Sequence, residues 1–346
     1  MKTSVIVVDW KRPELTERCL RALAAQEGVD DVEVVLVANE ATEEEGERWR
    51  ARHPGLLVVV EAGNVGFSAG VVRGMSVATG QVVVLVNNDA VPEPGFLAAG
   101  LAVLAGSTDE VVAVAATVVL EGAFRRAAPG DAPEDVLTGL DGARWARTEE
   151  GLRLLNGTGV VLTRDGNGHD RDWLRPLGDG APVRHGEPFG FSGGAAFLRR
   201  AAVEAVGGLD PSLFMYYEDL DLAWRLRLAG GRVVHAPAAV VVHRHAGSSG
   251  SGSVFVRYQS TRNRLAVVLR NGTGTLVLRV VARTAVRAVL DVLGRGEPHL
   301  PSSSWARLVA EVPALLRGAL SRRRADGVPR HRRREVESLL DGHGSR

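Results

Sequence analysis

The stretch VVVLVNND at residues 82–89 indicates the fold of this chain. Five apolar residues, four of them valine, run directly into two asparagines and an aspartate, and prolines follow at positions 92 and 94. A short apolar run bounded in this way is typical of a buried strand in a parallel sheet. Ligands of open α/β sheets bind beyond the carboxyl ends of the strands, so Asn87, Asn88 and Asp89 are candidate site residues. An Asn/Asp-rich turn before a proline is the alternative.

Strands and helices alternate upstream of this stretch. Apolar runs at 4–8, 32–37 and 56–60 predict three buried strands, with helices between them. Strand, helix and strand at this spacing require parallel pairing through right-handed crossovers. We therefore predict an α/β fold with a Rossmann-like, mostly parallel sheet flanked by helices, and further strands over 111–120 and 233–242.

Composition limits the class of protein. The 346 residues are 45% hydrophobic and 24% charged, which is typical of a soluble protein with one large domain and an appendage. A formal net charge of +1 gives no reason to expect a nucleic-acid partner. The single cysteine, Cys19, excludes an internal disulfide and fits a reducing compartment. No signal-peptide pattern and no apolar run of about 18 to 20 residues is present, which predicts a cytoplasmic location.

Two glycine-rich segments are candidate ligand-binding loops. NVGFSAG at 64–70 joins the third predicted strand to a helix that contains Arg73. Its glycines permit tight turns, and the helix N-terminus can offer N–H groups to an anion, although such turns are common without any ligand. FGFSGGA at 189–195 allows either close approach of a ligand to the backbone or a simple tight turn.

MYYEDLD at 215–221 places three acidic residues at the start of a predicted helix. The helix dipole favours acids there, so capping is one explanation. Asp221 and Arg225 form an i,i+4 pair that is typical of a structural role. Capping alone does not require three acids beside two tyrosines, which favours a functional role for Glu218 and Asp219.

The last predicted strand runs into His243-Arg244-His245. Residues two apart on a strand share a face, so both histidines can point the same way. A lone histidine in this position is often structural. A histidine at the end of a sheet that also presents Asp89 is a candidate metal ligand.

Beyond residue 253 we predict a helical extension over 254–325 and a basic, flexible tail over 326–346. In the helix expected over 276–293, Arg279, Arg283 and Arg287 recur at a spacing of four. This stripe is typical of an amphipathic helix at an anionic membrane surface. A helix packed on the catalytic domain, with its arginines in solvent, accounts for the pattern equally well.

Taken in order, these motifs resemble the family 2 glycosyltransferases, which are inverting enzymes with the GT-A fold. The rhamnosyltransferase-like and galactofuranosyltransferase-like members are the most similar. The resemblance covers about residues 3–265 and depends on the motifs VIVVDWKRPEL, NVGFSAG, LVNNDAVPEPGFL, FSGGAAFLRR, GGLDPSLFMYYEDLDLAWRLRLAGG, VVHRH and YQSTRN. It implies a GT-A catalytic domain over 1–253, with a nucleotide-binding half over about 1–120 and an acceptor half over about 121–253.

The resemblance also implies roles for individual residues. Asn87-Asn88-Asp89 occupies the family's DxD position, with Asp89 as a metal ligand, His243 completing the metal site and His245 as a further candidate. Asp219 corresponds to the catalytic base, beside Glu218. The loop next to the donor sugar and acceptor contains Ser192, Gly193 and Gly194. The remaining donor-binding candidates are Val8, Asp9, Trp10, Asn39, Glu40, Asn64, Gly66 and Arg73.

The implied reaction needs a divalent metal, Mn²⁺ or Mg²⁺, and an imidazole ligand favours Mn²⁺. The metal neutralises the nucleoside-diphosphate leaving group while Asp219 accepts the proton of the acceptor hydroxyl. The expected partners are a nucleotide-sugar donor, with dTDP-rhamnose as one candidate, and a cell-envelope, lipid-linked or secondary-metabolite glycan. Peripheral contact with the inner face of the cell membrane is part of the same expectation.

Some positions depart from the family pattern. Asp9-Trp10-Lys11 replaces the usual Thr-Tyr-Asn type of triplet, and Ala38 stands where an aspartate usually contacts the base. A nucleotide-sugar-binding protein without transferase activity is therefore the alternative function.

Overall fold

The structure is a computed structural model that describes residues 1–132, 135–178, 186–244 and 253–341. The first part of the chain alternates strands and helices in the order β1 (Thr3–Asp9), α1 (Pro13–Ala24), β2 (Val32–Asn39), α2 (Glu43–Arg52), β3 (Leu57–Glu61), α3 (Gly66–Val77), β4 (Val82–Val86), β5 (Ala90–Pro92), α4 (Phe96–Ala105) and β6 (Val111–Leu120).

An excursion of short strands comes next, comprising β7 (Ala123–Arg126), β8 (Val136–Thr138), β9 (Arg144–Thr148), β10 (Leu155–Gly157), β11 (Val160–Leu162) and β12 (Gly168–Asp170). The chain then returns to the main sheet through β13 (Ala195–Arg199), α5 (Arg200–Ala205), α6 (Glu218–Leu228) and β14 (Arg232–His243). The C-terminal part contains α7 (Val254–Asn271), α8 (Gly274–Val292), α9 (Ser302–Asp326) and α10 (Arg330–Glu337).

The main sheet has the strand order β3-β2-β1-β4-β13-β6-β14-β5, and β10 pairs with β6. The strands β3, β2, β1 and β4 are parallel, as the alternation of strands and helices predicts. β13 is antiparallel to both β4 and β6, because the chain enters it from the edge at which β4 ends. The predicted α/β fold of the GT-A type, with C-terminal helices, is confirmed. Its sheet is parallel in the first half and mixed in the second.

The strand β4 fixes the centre of the sheet. All five of its side chains are buried. Val82, Val84 and Val86 join one core cluster with residues of α1 and α4, and Val83 and Leu85 join a second cluster with residues of α3 and α6. Helices thus cover both faces of β4, and the polar triplet that follows it emerges at a fixed point on the sheet edge.

The helices α7, α8 and α9 pack as a layer against α6 and its neighbours. Their core cluster includes Trp224 of α6, Leu265 and Val268 of α7, Val280 of α8 and Trp305 of α9. Within the described ranges, no helix is both long enough and apolar enough to cross a bilayer.

The arginine stripe of α8 contacts the protein itself. Arg279 Nη1 donates to the Arg164 carbonyl oxygen at 3.4 Å, and Arg283 Nη2 lies 3.5 Å from the Asp165 carboxylate. Arg287 forms an ion pair with Asp291. The stripe therefore agrees with the packed-helix alternative: Arg279 and Arg283 are exposed, and each also contacts the segment at residues 164–165.

The basic end of the chain contains the helix α10 (Arg330–Glu337) and is packed up to residue 341, which differs from the flexible tail expected over 326–346. Val336 and Leu340 are buried in the same cluster as Trp224. Arg333, only 2% exposed, donates from Nη1 to the carbonyl oxygens of Arg270 and Asn271, each at 2.8 Å. Carbonyl groups at a helix C-terminus lack intrahelical partners and attract cations. The arginine-rich sequence, which by itself suggests disorder, therefore caps the C-terminus of α7. Residues 342–346 lie outside the described ranges.

Adjacent leucines at the end of the chain test this packing. Leu340 is 5% exposed and Leu339 is 53% exposed. We expect Leu340→Ala to lower the free energy of unfolding by about 2 kcal/mol, because it removes buried apolar volume. The matched change Leu339→Ala should stay within about 0.5 kcal/mol of the wild type in urea denaturation. Equal, negligible effects of both changes would contradict the packed position of this segment.

Candidate active site

The carboxyl ends of β1, β2 and β4 meet at one edge of the sheet because these strands are parallel neighbours. Asp9 Oδ1, at the end of β1, accepts hydrogen bonds from Thr16 Oγ1 at 2.6 Å and from Asn88 Nδ2 at 3.2 Å. Burial raises the pKa of Asp9, and the hydrogen bonds from Thr16 and Asn88 oppose that rise. Asp9 and Asn88 thus bind each other beneath the edge and hold the turn after β4 in place.

Trp10 and Glu40 form the rim of this edge. Trp10 Nε1 donates to Glu40 Oε2 at 2.8 Å, and Lys11 Nζ lies 2.9 Å from Glu40 Oε1. Hydrogen bonds from Trp10 and Lys11 lower the pKa of Glu40. The indole ring is half-buried, which leaves part of its face available to stack on a planar base.

The start of α3 is capped by the protein. Asn39 Oδ1 accepts from the Val65 N–H, and Asn64 Oδ1 accepts from the Gly66 N–H, both at 2.9 Å. The Ser68 N–H donates to the Phe214 carbonyl oxygen at 3.0 Å. These three N–H groups are therefore not available to an anion, and the structure favours the alternative that NVGFSAG is a structural turn.

Two further donor-site candidates lie away from the polar groups of this edge. Val8 is buried, and a Cβ on Gly70 would come within 2.8 Å of Val8 Cγ1, so Val8 packs under α3. Arg73 Nε lies 2.9 Å from Glu61 Oε1 on the edge strand β3. The structure does not bring Arg73 together with the triplet after β4.

Asp89 and His243 face each other across the end of the sheet. The antiparallel pairing of β14 with β5 sets His243 opposite Ala90, and the Arg244 N–H donates to the Asp89 carbonyl oxygen at 3.0 Å. His243 Nε2 lies 3.2 Å from Asp89 Oδ1, yet this buried oxygen has no hydrogen-bond partner among the residues that the structure describes. A buried carboxylate oxygen without a donor is costly unless a cation satisfies it.

The donor set of this pair fits a divalent metal. His243 Nδ1 lies 2.9 Å from Asn156 Oδ1, so a proton on Nδ1 leaves the Nε2 lone pair directed toward Asp89. In the part of the chain that the structure describes, no group of three or more His, Cys, Asp or Glu side chains is placed to hold a metal. Asp89 and His243 are thus two ligands, and a bound metal would need further oxygens from elsewhere. His245 lies outside the described residues.

Asp219 occupies the first turn of α6. Its Oδ2 accepts from the Gly193 N–H at 2.9 Å, and its Oδ1 accepts from the Leu220 N–H at 2.7 Å. Burial raises the pKa of Asp219, and these two hydrogen bonds oppose the rise. Burial, and next the charge of Asp219, raises the pKa of Glu218 well above its ordinary value, and Glu218 Oε2 is a buried oxygen without a hydrogen-bond partner. The negative charge of the pair is therefore placed on Asp219 and the proton on Glu218.

A glycine loop connects Asp219 to the triplet after β4. The Asn87 N–H donates to the Gly194 carbonyl oxygen at 2.9 Å, and the Gly194 N–H donates to Ser192 Oγ at 3.2 Å. A Cβ on Gly193 would lie 3.0 Å from the Phe67 ring, and one on Gly194 would lie 3.3 Å from Asn87 Nδ2. Glycine therefore favours the close approach that joins Asn87 to Asp219, because a side chain at either position would force its neighbour to shift.

The loop before α6 is held in an uncommon conformation. Phe214, Tyr216 and Tyr217 have φ values of 62°, 68° and 71°, a region that side chains other than glycine seldom adopt. The fully buried Asn263 of α7 stabilises this loop, because its Nδ2 lies 2.7 to 2.9 Å from the carbonyl oxygens of Leu213, Met215 and Tyr216. The C-terminal extension thereby positions the residues that precede Asp219.

Two functional candidates were missed by sequence reasoning. Asn156 on β10 donates from Nδ2 to Asp170 Oδ2 on β12 at 2.8 Å. Burial, and next the charge of Asp219, raises the pKa of Asp170 to about 6. An acceptor half was expected over about 121–253, but the three-residue strands β10 and β12 carry no periodicity that singles out either residue.

A cavity of about 230 Å³ opens beside Asp219. Its lining includes Gly168, His169, Asp170, Tyr216, Tyr217 and Ser260. A larger cavity of about 600 Å³ lies behind the loop, between α7 and α9. Charged residues of its lining bind one another, as Arg262 Nε does with Glu311 at 2.8 Å and Arg322 Nε with Asp210 at 2.7 Å. The smaller cavity is therefore the candidate substrate site.

The amide of Asn263 tests how the loop is stabilised. We expect Asn263→Asp to lower the free energy of unfolding by about 3 kcal/mol, because a carboxylate oxygen would replace the donor that faces three carbonyl oxygens. Asn167→Asp is a matched control, since Asn167 Oδ1 accepts from Arg264 Nη1 at 2.6 Å and a carboxylate can replace it. Urea denaturation should show a large loss for the first variant only. Similar losses for both would contradict the role of Asn263.

Comparisons with known proteins agree with this geometry. The profile of Glycosyl transferase family 2 matches residues 4–207, and that of Glycosyl transferase family group 2 matches residues 180–289. The N-acetylglucosaminyl-diphospho-decaprenol L-rhamnosyltransferase of Mycobacterium tuberculosis is 48% identical over 59 residues, 17% of this chain. The chain matches only 19% of that relative's length.

Solved structures share the fold at low sequence identity. The mannosyltransferase PcManGT from Pyrobaculum calidifontis, in complex with GDP-Man and Mn²⁺, has a TM-score of 0.51 at 17% identity, over 98% of this chain and 84% of that one. GalNAc-T7 with UDP, GalNAc and Mn²⁺ has a TM-score of 0.59 at 14% identity, over 90% of this chain and 54% of that one. Because the family 2 profile covers residues 4–207 of 346, the chain belongs to glycosyl transferase family 2.

Proposed function

We propose that this chain is an inverting, metal-dependent glycosyltransferase that moves a sugar from a nucleoside-diphosphate donor to an acceptor hydroxyl. The observation that carries the proposal is the order of groups along one sheet edge. The Asp89–His243 pair comes first, the Gly193-Gly194 loop follows, and Asp219 comes last, with a cavity beyond it. A donor and an acceptor can meet between the pair and the base.

The donor half begins at the rim formed by Trp10 and Glu40, where the nucleotide base would stack on the indole. The donor diphosphate would then lie at Asp89 and His243. A divalent cation held there, with Mn²⁺ favoured by the imidazole, supplies charge neutralisation for the leaving nucleoside diphosphate. The pair contributes only two protein ligands, so oxygens of the diphosphate are expected to complete the coordination.

The acceptor half depends on Asp219 as general base. Its backbone hydrogen bonds favour the ionised form, so its carboxylate can accept the proton of an acceptor hydroxyl as that oxygen attacks the anomeric carbon. Asp219 and the leaving group lie on opposite sides of the sugar, so one displacement inverts the anomeric configuration. Glu218 keeps its proton and does not compete for that of the acceptor.

The substrates are proposed from the cavity and from the named relative. Polar groups from His169, Asp170, Tyr216 and Ser260 suit a sugar acceptor with several hydroxyl groups. The partial match to an N-acetylglucosaminyl-diphospho-decaprenol L-rhamnosyltransferase supports rhamnose as the donor sugar and a lipid-linked glycan as the acceptor. The donor that we propose is dTDP-rhamnose.

A lipid-linked acceptor requires contact with a membrane, and α8 offers a surface for it. One face of this helix exposes an apolar stripe at helical spacing, formed by Leu278, Val281, Val286, Val289, Val292 and Leu293. Exposed arginines occur nearby in the chain at positions 279, 283 and 295. We propose that this face binds an anionic lipid bilayer at the inner face of the cell membrane, with the apolar stripe rather than the arginine stripe providing the main contact.

Asparagine and glutamine variants separate the two acids of the α6 N-terminus. We expect Asp219→Asn to lower the transfer rate by about 10² to 10⁴-fold, because the general base is lost, with donor affinity unchanged. Glu218→Gln replaces a carboxyl group that already holds its proton, so its rate should stay within about threefold of the wild type. Transfer from dTDP-rhamnose, with donor affinity by calorimetry, provides both readouts. Wild-type transfer by Asp219→Asn would exclude Asp219 as the base.

Cosedimentation with vesicles of anionic lipid tests the membrane contact. We expect the double change Val286→Glu and Val289→Glu to abolish sedimentation, because it places two charges in the apolar stripe. The matched control introduces the same two charges at exposed positions of α2 and α4, as Ala51→Glu and Ala105→Glu. The idea is wrong if the wild type stays in the supernatant, or if both double variants sediment like the wild type.

A further inference from the structure

We propose that Asn156 and Asp170 form a relay that positions His243 to bind a divalent cation. The inference rests on the proposed metal-dependent transfer and assigns a role to two residues outside the recognised motifs. His243 Nδ1 lies 2.9 Å from Asn156 Oδ1, and Asn156 Nδ2 donates to Asp170 Oδ2 at 2.8 Å. The side chains of Asp170, Asn156 and His243 thus form a continuous hydrogen-bonded row that ends at the ring facing Asp89.

The direction of the hydrogen bonds in this row follows from the chemistry of Asp170, which stands at one end. An ionised carboxylate can only accept hydrogen bonds, so Asp170 must face the NH₂ group of Asn156. The amide oxygen of Asn156 must then face His243, and an oxygen requires a donor, so the proton of the neutral imidazole is placed on Nδ1. Nε2 consequently keeps its lone pair, and it is this atom that lies 3.2 Å from Asp89 Oδ1. The relay selects the tautomer that can bind a metal.

Three different strands hold the row in place. Both β10 and β14 pair with β6, so Asn156 and His243 are positioned by the same strand. Asp170 ends β12, which pairs with β11 next to the sheet. Asn156 is buried, so an unmade hydrogen bond on either side of its amide would be costly. The ring of His243 is therefore fixed in rotation as well as in tautomer.

The other end of the row opens toward the substrate. Asp170 lines the cavity beside Asp219, so the group that orients the metal ligand also faces the acceptor site. A purely structural role, in which Asn156 and Asp170 only tie β10 to β12, would account for their hydrogen bond. It would not account for the amide oxygen directed at the imidazole of His243.

A double-mutant cycle on Mn²⁺ affinity separates positioning from structure. We expect Asn156→Leu, which is similar in size but removes both hydrogen bonds, to weaken Mn²⁺ binding by about 10 to 100-fold. In a His243→Ala background the same change should cause no further loss, because the relay acts only through His243. Mn²⁺ alone is titrated into the full chain and followed by water-proton relaxation, with thermal unfolding of each variant as a control for folding.

The tautomer gives a readout that needs no metal. Nitrogen-15 NMR of the histidine-labelled protein should show the Nδ1–H form of His243 in the wild type and a mixture of tautomers in Asn156→Leu. Wild-type Mn²⁺ affinity and an unchanged tautomer in Asn156→Leu overturn the relay. The relay is also overturned if Asn156→Leu lowers Mn²⁺ affinity by the same factor in the His243→Ala background as in the wild type, since Asn156 would then act through another group.

The outcomes for His243 itself distinguish this inference from the proposed function. If Asp89→Asn and His243→Ala both bind Mn²⁺ as tightly as the wild type, the proposed metal site is wrong and the relay with it. If both changes weaken Mn²⁺ binding while Asn156→Leu has no effect, the metal site stands and only the relay is overturned.

Discussion

A buried carboxylate oxygen without a hydrogen-bond donor is the constraint on which the catalytic edge depends. Asp89 Oδ1 faces His243 Nε2, and within the described ranges no backbone or side-chain group donates a hydrogen bond to it. Leaving such an oxygen unsatisfied lowers the stability of the folded state by on the order of 1 to 3 kcal/mol or more. A bound cation would offset this loss. The apolar strand β4 on one side and the pairing of β14 with β5 on the other prevent the two side chains from separating.

The same edge depends on the C-terminal extension. Phe214, Tyr216 and Tyr217, which precede α6, have left-handed backbone angles. The amide nitrogen of Asn263 faces the carbonyl oxygens of Leu213, Met215 and Tyr216 in the same loop. Without α7 the loop could relax toward ordinary backbone angles, and Asp219 would leave the Gly193 N–H. The helices α9 and α10 in turn support α7, since Asp326 and Arg333 bind its last residues. The C-terminal extension therefore helps to hold the candidate active site in place, in addition to the membrane contact proposed for α8.

Much of this arrangement could be predicted from the sequence. The valine run of β4 identifies a central strand, and the ends of parallel strands meet at one edge, so the proximity of Asp9 and Asn88 follows from the pattern. The acidic residues Glu218 and Asp219 at the start of α6 can be recognised from the sequence in the same way. Asn156 and Asp170 could not be found in this way, because strands of three residues carry no periodicity and their partners are distant in the chain.

Other differences between the sequence-based predictions and the structure also arise from tertiary contacts. The start of α3 resembles an anion site in sequence, but Asn39 and Asn64 already accept from its N–H groups. The arginines of α10 resemble a solvated tail, yet the carbonyl groups at the end of α7 take up Arg333. In each case a polar partner far away in the sequence decides the outcome, and a local pattern contains no information about that partner.

The metal dependence of transfer in wild type and in Asp89→Ala tests the central claim most directly. Transfer is measured after removal of divalent ions by a chelator and again after addition of Mn²⁺. The account predicts that Mn²⁺ restores transfer by the wild type and fails to restore it in Asp89→Ala, because the carboxylate that would hold the ion is missing. Transfer by Asp89→Ala that still rises with Mn²⁺ as it does in the wild type would contradict the account.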